Sequence, residues 1–241
     1  AESLPTLKPI SDRVSEKVRA PYEENPYPRW KQIPIPLKQE GFAQRIVGFF
    51  PSISASNEAP RSIAFPYEGA LDVLVAGAGT GEHPLLLASS CPGDSIFALD
   101  LSRSSLAYAA RKADELGIDN LRFIQGDILD VREIGRVFQG IESVGVLHHM
   151  SNPMAGVAAL KSVLAPKGFL YLGLYSERAR ASIVAARSYI AEKCIDVSDE
   201  NLRSIRHRIS EGEYFPELVL WRDLHSMSGL RDLLFHSYHI Y

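Results

Sequence analysis

The chain has 241 residues, room for one large domain with appendages, and a length that buries roughly three-quarters of the unfolded surface without help from disulfides or a structural metal. Its 26 basic and 29 acidic side chains leave a net charge of −3, the wrong sign for a protein built mainly to grip nucleic-acid phosphates. With 46% apolar and 23% charged residues the composition is that of a folded globule, not of a disordered chain.

Cys91 and Cys194 are the two cysteines. Without a Cys-x-x-Cys pair the chain offers no zinc knuckle, iron–sulfur site or thioredoxin-type couple, and two free, buried thiols in a reducing compartment are expected. No metal site is expected. No apolar run approaches the ~20 residues of a membrane helix, and the N-terminus lacks the basic stretch and apolar core of a signal peptide. The first residue is Ala1, as in a trimmed or recombinant fragment. The expected setting is cytoplasmic.

Ten of the 15 prolines fall within residues 1–68. Proline lacks a backbone donor, so this stretch cannot supply a central strand. It reads as an arm or lid: a helix over Ser11–Glu23, kinked or stopped near Pro21, then extended chain, then a loop from Pro51 to Pro66. From 69 to 175 strands and helices alternate. Strands are expected at Asp72–Ala76, Ser95–Leu99, Leu121–Ile124, Ser143–Leu147 and Phe169–Tyr175. Helices are expected at Glu82–Ser90, at Ser102–Leu116 with Ser102 as N-cap and Gly117 beyond the end, and at Met154–Leu164, closed by the Pro166-Lys167-Gly168 turn. Strands separated by helices form a parallel sheet through right-handed crossovers. Residues 176–241 return to helical spacing: Glu177–Cys194, Asn201–Ser210, and Ser228–Phe235 capped by Ser228.

The most informative run is Val75-Ala76-Gly77-Ala78-Gly79-Thr80-Gly81-Glu82, which follows the first strand and opens the first core helix. Glycines there let a ligand approach the backbone, and the helix start presents unpaired N–H groups. A dinucleotide turn wants G-x-G-x-x-G. Here the spacing is G-x-G-x-G, and Glu82 stands where a third glycine would meet a pyrophosphate. A carboxylate repels that group, so an adenosine without phosphates fits better. Asp100, closing the second strand, can accept both hydroxyls of a ribose. Asp127, after the third strand, can accept from an adenine amino group with Ile128 on the ring; a plain turn aspartate is the alternative.

These three signals in order, with Gly145-Val146-Leu147-His148-His149 ending the fourth strand, resemble a class I S-adenosylmethionine-dependent methyltransferase. The runs Tyr22-Glu23-Glu24-Asn25-Pro26-Tyr27-Pro28-Arg29-Trp30, VAGAGTGEH, GVLHHM, LGLYSERAR and Arg231–His236 narrow the resemblance to bacterial methyltransferase modules fused behind tetratricopeptide repeats. It implies a Rossmann-like doubly wound α/β sheet of strand order 3-2-1-4-5, with an N-terminal arm and a C-terminal helical segment on the substrate side. It also implies S-adenosylmethionine as cofactor, S-adenosylhomocysteine as product, and a methyl acceptor that the residues do not identify. In this frame Gly77, Ala78, Gly79, Thr80, Gly81 and His83 surround the methionine moiety, Asp100 and Leu101 take the ribose side, and Asp127 and Ile128 take the adenine. Gly145 and Val146 line the crevice, and Tyr27, Arg29 and Trp30 close over the cofactor, Arg29 towards its carboxylate. The final helix and strand pair of that class is expected to be missing after Phe235: either the chain is truncated, or His236–Tyr241 and the helical segment cover the sheet edge.

His148, His149 and Tyr175 are the candidate catalytic groups. A histidine near neutrality could take a proton from an oxygen or nitrogen nucleophile; the alternative is that one bonds backbone and the other packs near the cofactor. The Asp/Asn-Pro-Pro-Tyr/Phe motif of many amino-group methyltransferases is absent, since Asn152-Pro153-Met154 reads as a helix start. Arg178, Arg180 and Arg187 could clamp an anion or simply form a solvated face. Two other classes stay open: a non-catalytic cofactor-binding module, and a nicotinamide-dependent oxidoreductase, against which the glycine spacing and Glu82 speak.

Overall fold

The computed structural model describes residues 4–34, 36, 39–49 and 65–236. Its core is a five-stranded, wholly parallel sheet: β1 (Asp72–Ala76), β2 (Ser95–Asp100), β3 (Leu121–Gln125), β4 (Phe138–Val144) and β5 (Leu164–Gly173), in spatial order β3-β2-β1-β4-β5. This is the expected order. The chain turns back between β1 and β4, and in an open parallel sheet the crevice beyond the carboxyl ends at that switch point receives ligands.

β1 and β2 are apolar between their end residues Asp72, Ser95 and Asp100 because both faces are covered. Val73, Val75, Ile96 and Ala98 pack on one side with Leu85, Leu106 and Ala109, from α3 (Glu82–Ser90) and α4 (Arg103–Leu116). Leu74, Ala76, Phe97 and Leu99 pack on the other with Leu160 of α5 (Pro153–Ser162), whose N-cap is Asn152 and whose first residue is Pro153. α4 begins and ends on the expected signals: the Ser102 hydroxyl accepts from Ser105 N–H, and Gly117 closes the helix in left-handed conformation at φ 66°.

Several boundaries differ from expectation. The fourth strand is Phe138–Val144, not Ser143–Leu147, and Leu147–His149 is a 3₁₀ turn. Gln139, Gly140 and Glu142 disguise the strand as polar. Gly140 is required because a Cβ there would lie 2.2 Å from the Phe42 ring. The fifth strand is Leu164–Gly173, not Phe169–Tyr175. It contains the Pro166-Lys167-Gly168 turn as a bulge, with Lys167 at φ 61° between the pairings Phe138–Leu164 and Gly140–Phe169.

In the arm, α1 (Arg13–Glu24) is capped by Asp12 and continues through Pro21, so the proline lies inside the helix and does not stop it. The extended chain expected next contains α2 (Phe42–Phe49). Phe42 and Ile46, one turn apart, are fully buried. The cap of α2 comes from afar: Asp94 Oδ2 accepts from Phe42 N–H at 2.7 Å and Asp94 Oδ1 from Leu71 N–H at 2.8 Å. The expected loop from Pro51 lies, up to residue 64, outside the described residues.

Residues 174–241 form a second compact unit, described up to His236. It holds α6 (Ala181–Glu192), α7 (Asp199–Ser210) and α8 (Met227–Phe235). Their apolar faces meet in a core that includes Ile183, Ala186, Leu202, Ile209, Leu230 and Leu233. α6 is shorter than expected at both ends, α7 starts two residues earlier behind its Ser198 cap, and α8 is capped by Ser226, not Ser228. No described helix is long and apolar enough to cross a membrane.

Candidate functional site

The turn after β1 is pinned to β2: Leu99 O accepts from both Gly77 N–H and Ala78 N–H, at 2.8 and 3.0 Å. Its glycines serve different ends. A Cβ on Gly77 would stand 2.1 Å from Val146 Cγ2, and one on Gly81 2.4 Å from Ala109 Cβ, so these two let the protein's own elements close together. At Gly79 the space is open, the nearest atom to a built Cβ being Tyr27 O at 3.9 Å. That is the position where the backbone can be approached from outside.

Asp100 sits beside that opening. Its Oδ2 accepts from Gly79 N–H at 2.7 Å and its Oδ1 from Ser102 N–H at 2.8 Å. A carboxylate has about four lone-pair sites, so each oxygen retains accepting capacity after these bonds. Burial pushes the Asp100 carboxyl above its ordinary range; the N–H bonds from Ser102 and Gly79 oppose that, and the charge of Glu23 adds to it. Glu23 Oε2 accepts from the Ser102 hydroxyl at 2.8 Å and from Ser104 N–H at 3.2 Å. The end of α1 is thereby fastened to the start of α4.

Across β3, Asp127 is 5% exposed and caps the following 3₁₀ helix, its Oδ1 accepting from Leu129 N–H at 2.9 Å. Ile128 is buried beside it. Gly126 N–H donates to Asp100 O at 2.9 Å, so the segment bearing Asp127 is tied to the end of β2.

The arm reaches the same turn. Trp30 is buried, its Nε1–H donates to Thr80 O at 3.0 Å, and its ring meets Tyr108 edge-on at 5.8 Å. The Thr80 hydroxyl donates to Pro28 O, and Tyr108 OH to Trp30 O. Trp30 therefore anchors the arm, while Tyr27 is half-buried, Arg29 is exposed, and the Tyr27–Pro28 peptide is cis.

His83, in the first turn of α3, bonds Glu142 Oε2. Glu142 is 1% exposed, and its Oε1 has no hydrogen-bond partner among the described residues. Glu142 escapes the sequence reading because the strand expected at Ser143–Leu147 begins one residue after it, whereas the observed strand begins at Phe138. His148 is fully buried and His149 half-buried. Their rings pack edge-on at 4.3 Å, because the segment is a tight helical turn rather than extended chain. Gly145 lies at φ 75° between β4 and that turn, and its N–H donates to Gly173 O at 3.0 Å.

Tyr175 belongs to the second unit. There the Arg180 guanidinium lies 3.6 Å from the centroid of the Tyr175 ring and 5.2 Å from that of Trp221. Arg180 is buried and Arg178 exposed, while Arg187 donates to Leu233 O at 3.3 Å.

The chain is 34% identical over 188 residues to an uncharacterized protein of Synechococcus sp., a match spanning 76% of this chain and 42% of that one. It is 38% identical over 73 residues to the release factor glutamine methyltransferase of Bacillus subtilis, spanning 30% of this chain and 25% of that one. The chain thus spans less than half the length of these curated relatives. Among solved structures it is similar to PKMT2 from Rickettsia typhi in complex with AdoHcy, with 20% identity, a TM-score of 0.48, and coverage of 64% of this chain and 31% of that one. Residues 73–168, from β1 to the bulge of β5, match the family model of the methyltransferase domain.

Proposed function

We propose that the chain binds S-adenosylmethionine at the carboxyl ends of β1, β2 and β3 and catalyses transfer of its methyl group to an acceptor. The observation that carries this is the pairing of an open backbone position, Gly79, with the partly satisfied carboxylate of Asp100 at 2.7 Å. The matched methyltransferase-domain segment contains both residues, and Glu82 in the first turn of α3 opposes a pyrophosphate.

In this reading the Asp100 carboxylate accepts the two ribose hydroxyls, with Leu101 beside them. Asp127 accepts from the adenine amino group, and Ile128 lies on the ring. Gly77, Ala78, Gly79, Thr80, Gly81 and His83 border the amino-acid end, with Gly145 and Val146 on the β4 side. The cofactor supplies an electrophilic methyl on a sulfonium when bound. The protein's share is alignment of the nucleophile at about 3 Å and exclusion of water, and the arm, anchored through Trp30, serves the exclusion. Of the two histidines, His149 has the exposure to take a proton from an acceptor. Buried His148 would position it. The cytoplasmic setting and the longer, repeat-bearing chain implied by the resemblance belong to the same proposal.

Calorimetric titration with S-adenosylhomocysteine and with NAD⁺ tests the reading. It expects saturable one-to-one binding of the first and none of the second. Tight NAD⁺ binding would replace it with an oxidoreductase. Adenosyl binding without turnover across acceptor panels would reduce it to a binding module.

A further inference from the structure

The edge of the sheet at β3 is paired with the N-terminal segment. Thr6 forms a parallel bridge with Gln125: Leu7 N–H donates to Gln125 O at 2.9 Å, and Gln125 N–H donates to Pro5 O at 2.9 Å. An unpaired edge strand is a liability that a short covering segment removes. The side chains of this segment reach further than edge protection requires.

On one side the Arg103 guanidinium gathers the strap and the strand end. Its Nη1 donates to Thr6 Oγ1 at 3.1 Å and to Gln125 Oε1 at 3.2 Å, and its Nη2 to Leu4 O at 3.2 Å. Gln125 is 8% exposed, accepts from the Thr6 hydroxyl at 3.1 Å, and donates from Nε2 to Leu101 O at 3.2 Å. The chain of bonds therefore runs from the strap to the residue directly after Asp100. On the other side Leu7 packs on Gly126, where an added Cβ would lie 2.7 Å from Leu7 Cδ1. Lys8 Nζ then bonds Glu133 Oε1 at 2.7 Å and lies 3.9 Å from Asp130, both in the 3₁₀ helix that Asp127 caps. Both walls of the proposed adenosine subsite are thus held by five consecutive residues.

We propose that the strap of residues 4–8, acting through Arg103 and Gln125, is a positioning element that sets the spacing between the Asp100–Leu101 wall and the Asp127–Ile128 wall for an adenosyl ligand. The proposal rests on the adenosyl reading of the site given above. The strap touches neither the sugar nor the base; it preorganises the groups that would, and misplacement by a fraction of an ångström weakens such bonds steeply.

The test is titration of S-adenosylhomocysteine and of adenosine into wild type, Leu7→Pro, Arg103→Ala and Arg103→Lys. Leu7→Pro removes the bridging N–H. Asp94→Asn serves as control, since it loosens the same unit at the opposite, amino ends of the strands. Leu7→Pro and Arg103→Ala are expected to weaken both ligands by about tenfold or more and by the same factor, with Arg103→Lys recovering part of the loss. Asp94→Asn is expected to lower the melting temperature with affinity kept. Wild-type affinity in Leu7→Pro and Arg103→Ala overturns the proposal, as does a loss no greater than that of Asp94→Asn at an equal drop in melting temperature. If Leu7→Pro does not fold, Arg103→Ala and its lysine rescue decide alone. Failure of wild type to bind either ligand overturns the adenosyl reading itself and the strap's role with it.

Discussion

Asp100→Ala is the most direct perturbation of the site. The carboxylate spends one lone pair of each oxygen on the N–H groups of Gly79 and Ser102, which leaves two for a ribose diol. Hydrogen bonds to a charged acceptor are worth about 1.5–3 kcal/mol each, so losing two costs about 3–6 kcal/mol, or roughly 10²- to 10⁴-fold in affinity for S-adenosylhomocysteine. Asp100→Asn keeps one carbonyl oxygen but turns an amide donor towards one of the two N–H groups, and falls between wild type and alanine. Acid dependence adds a second signature. Burial raises the Asp100 carboxyl above its ordinary value, so adenosyl binding is lost on acidification at a pH above the usual ~3.9 of an aspartate. Stability runs the other way. Between the unfolded and folded values the folded state holds more protons, so the unliganded protein loses stability as pH rises through that window. Both dependences are expected to vanish in Asp100→Ala. Calorimetry read with circular dichroism provides the check, and an alanine variant that folds normally and binds within about threefold of wild type would refute the ribose assignment.

Other perturbations probe the framework around the site. Gly77→Ala combines φ 83° with a Cβ 2.1 Å from Val146 and is expected to cost about 2–4 kcal/mol in urea unfolding; adding Val146→Ala relieves the clash but not the backbone strain, so rescue is partial. Asp94→Ala leaves the buried N–H groups of Phe42 and Leu71 without their acceptor, costing about 2–4 kcal/mol, whereas a loss under about 1 kcal/mol would show that water reaches them. Cys91 is buried as expected, with its thiol pushed up to about 12, burial being the first cause, while Cys194, against expectation, is exposed beyond the end of α6. A disulfide reagent at about pH 8 is therefore expected to titrate one thiol in the native protein and both in denaturant.

The apolar runs Val73–Ala76 and Ile96–Leu99, the glycine turn, and the Ser102 and Gly117 caps carry their meaning locally. Their structure follows from period, turn chemistry and backbone donors within a few residues, so these elements and the position of Asp100 could be read directly from the chain, whereas the strand order followed from the family resemblance. Tertiary context decided the remainder. β4 is masked because Gly140 answers to Phe42 and Glu142 to His83, both distant in sequence. α2 lacks a cap of its own because Asp94 provides it from another loop. The bulge in β5 exists only in its pairing with β4. The strap at β3 depends on an arginine, a glutamine and a threonine that no local pattern connects. Periodicity reports burial along one element; contacts between elements far apart in the chain leave no periodic trace, and those contacts shape the walls of the site.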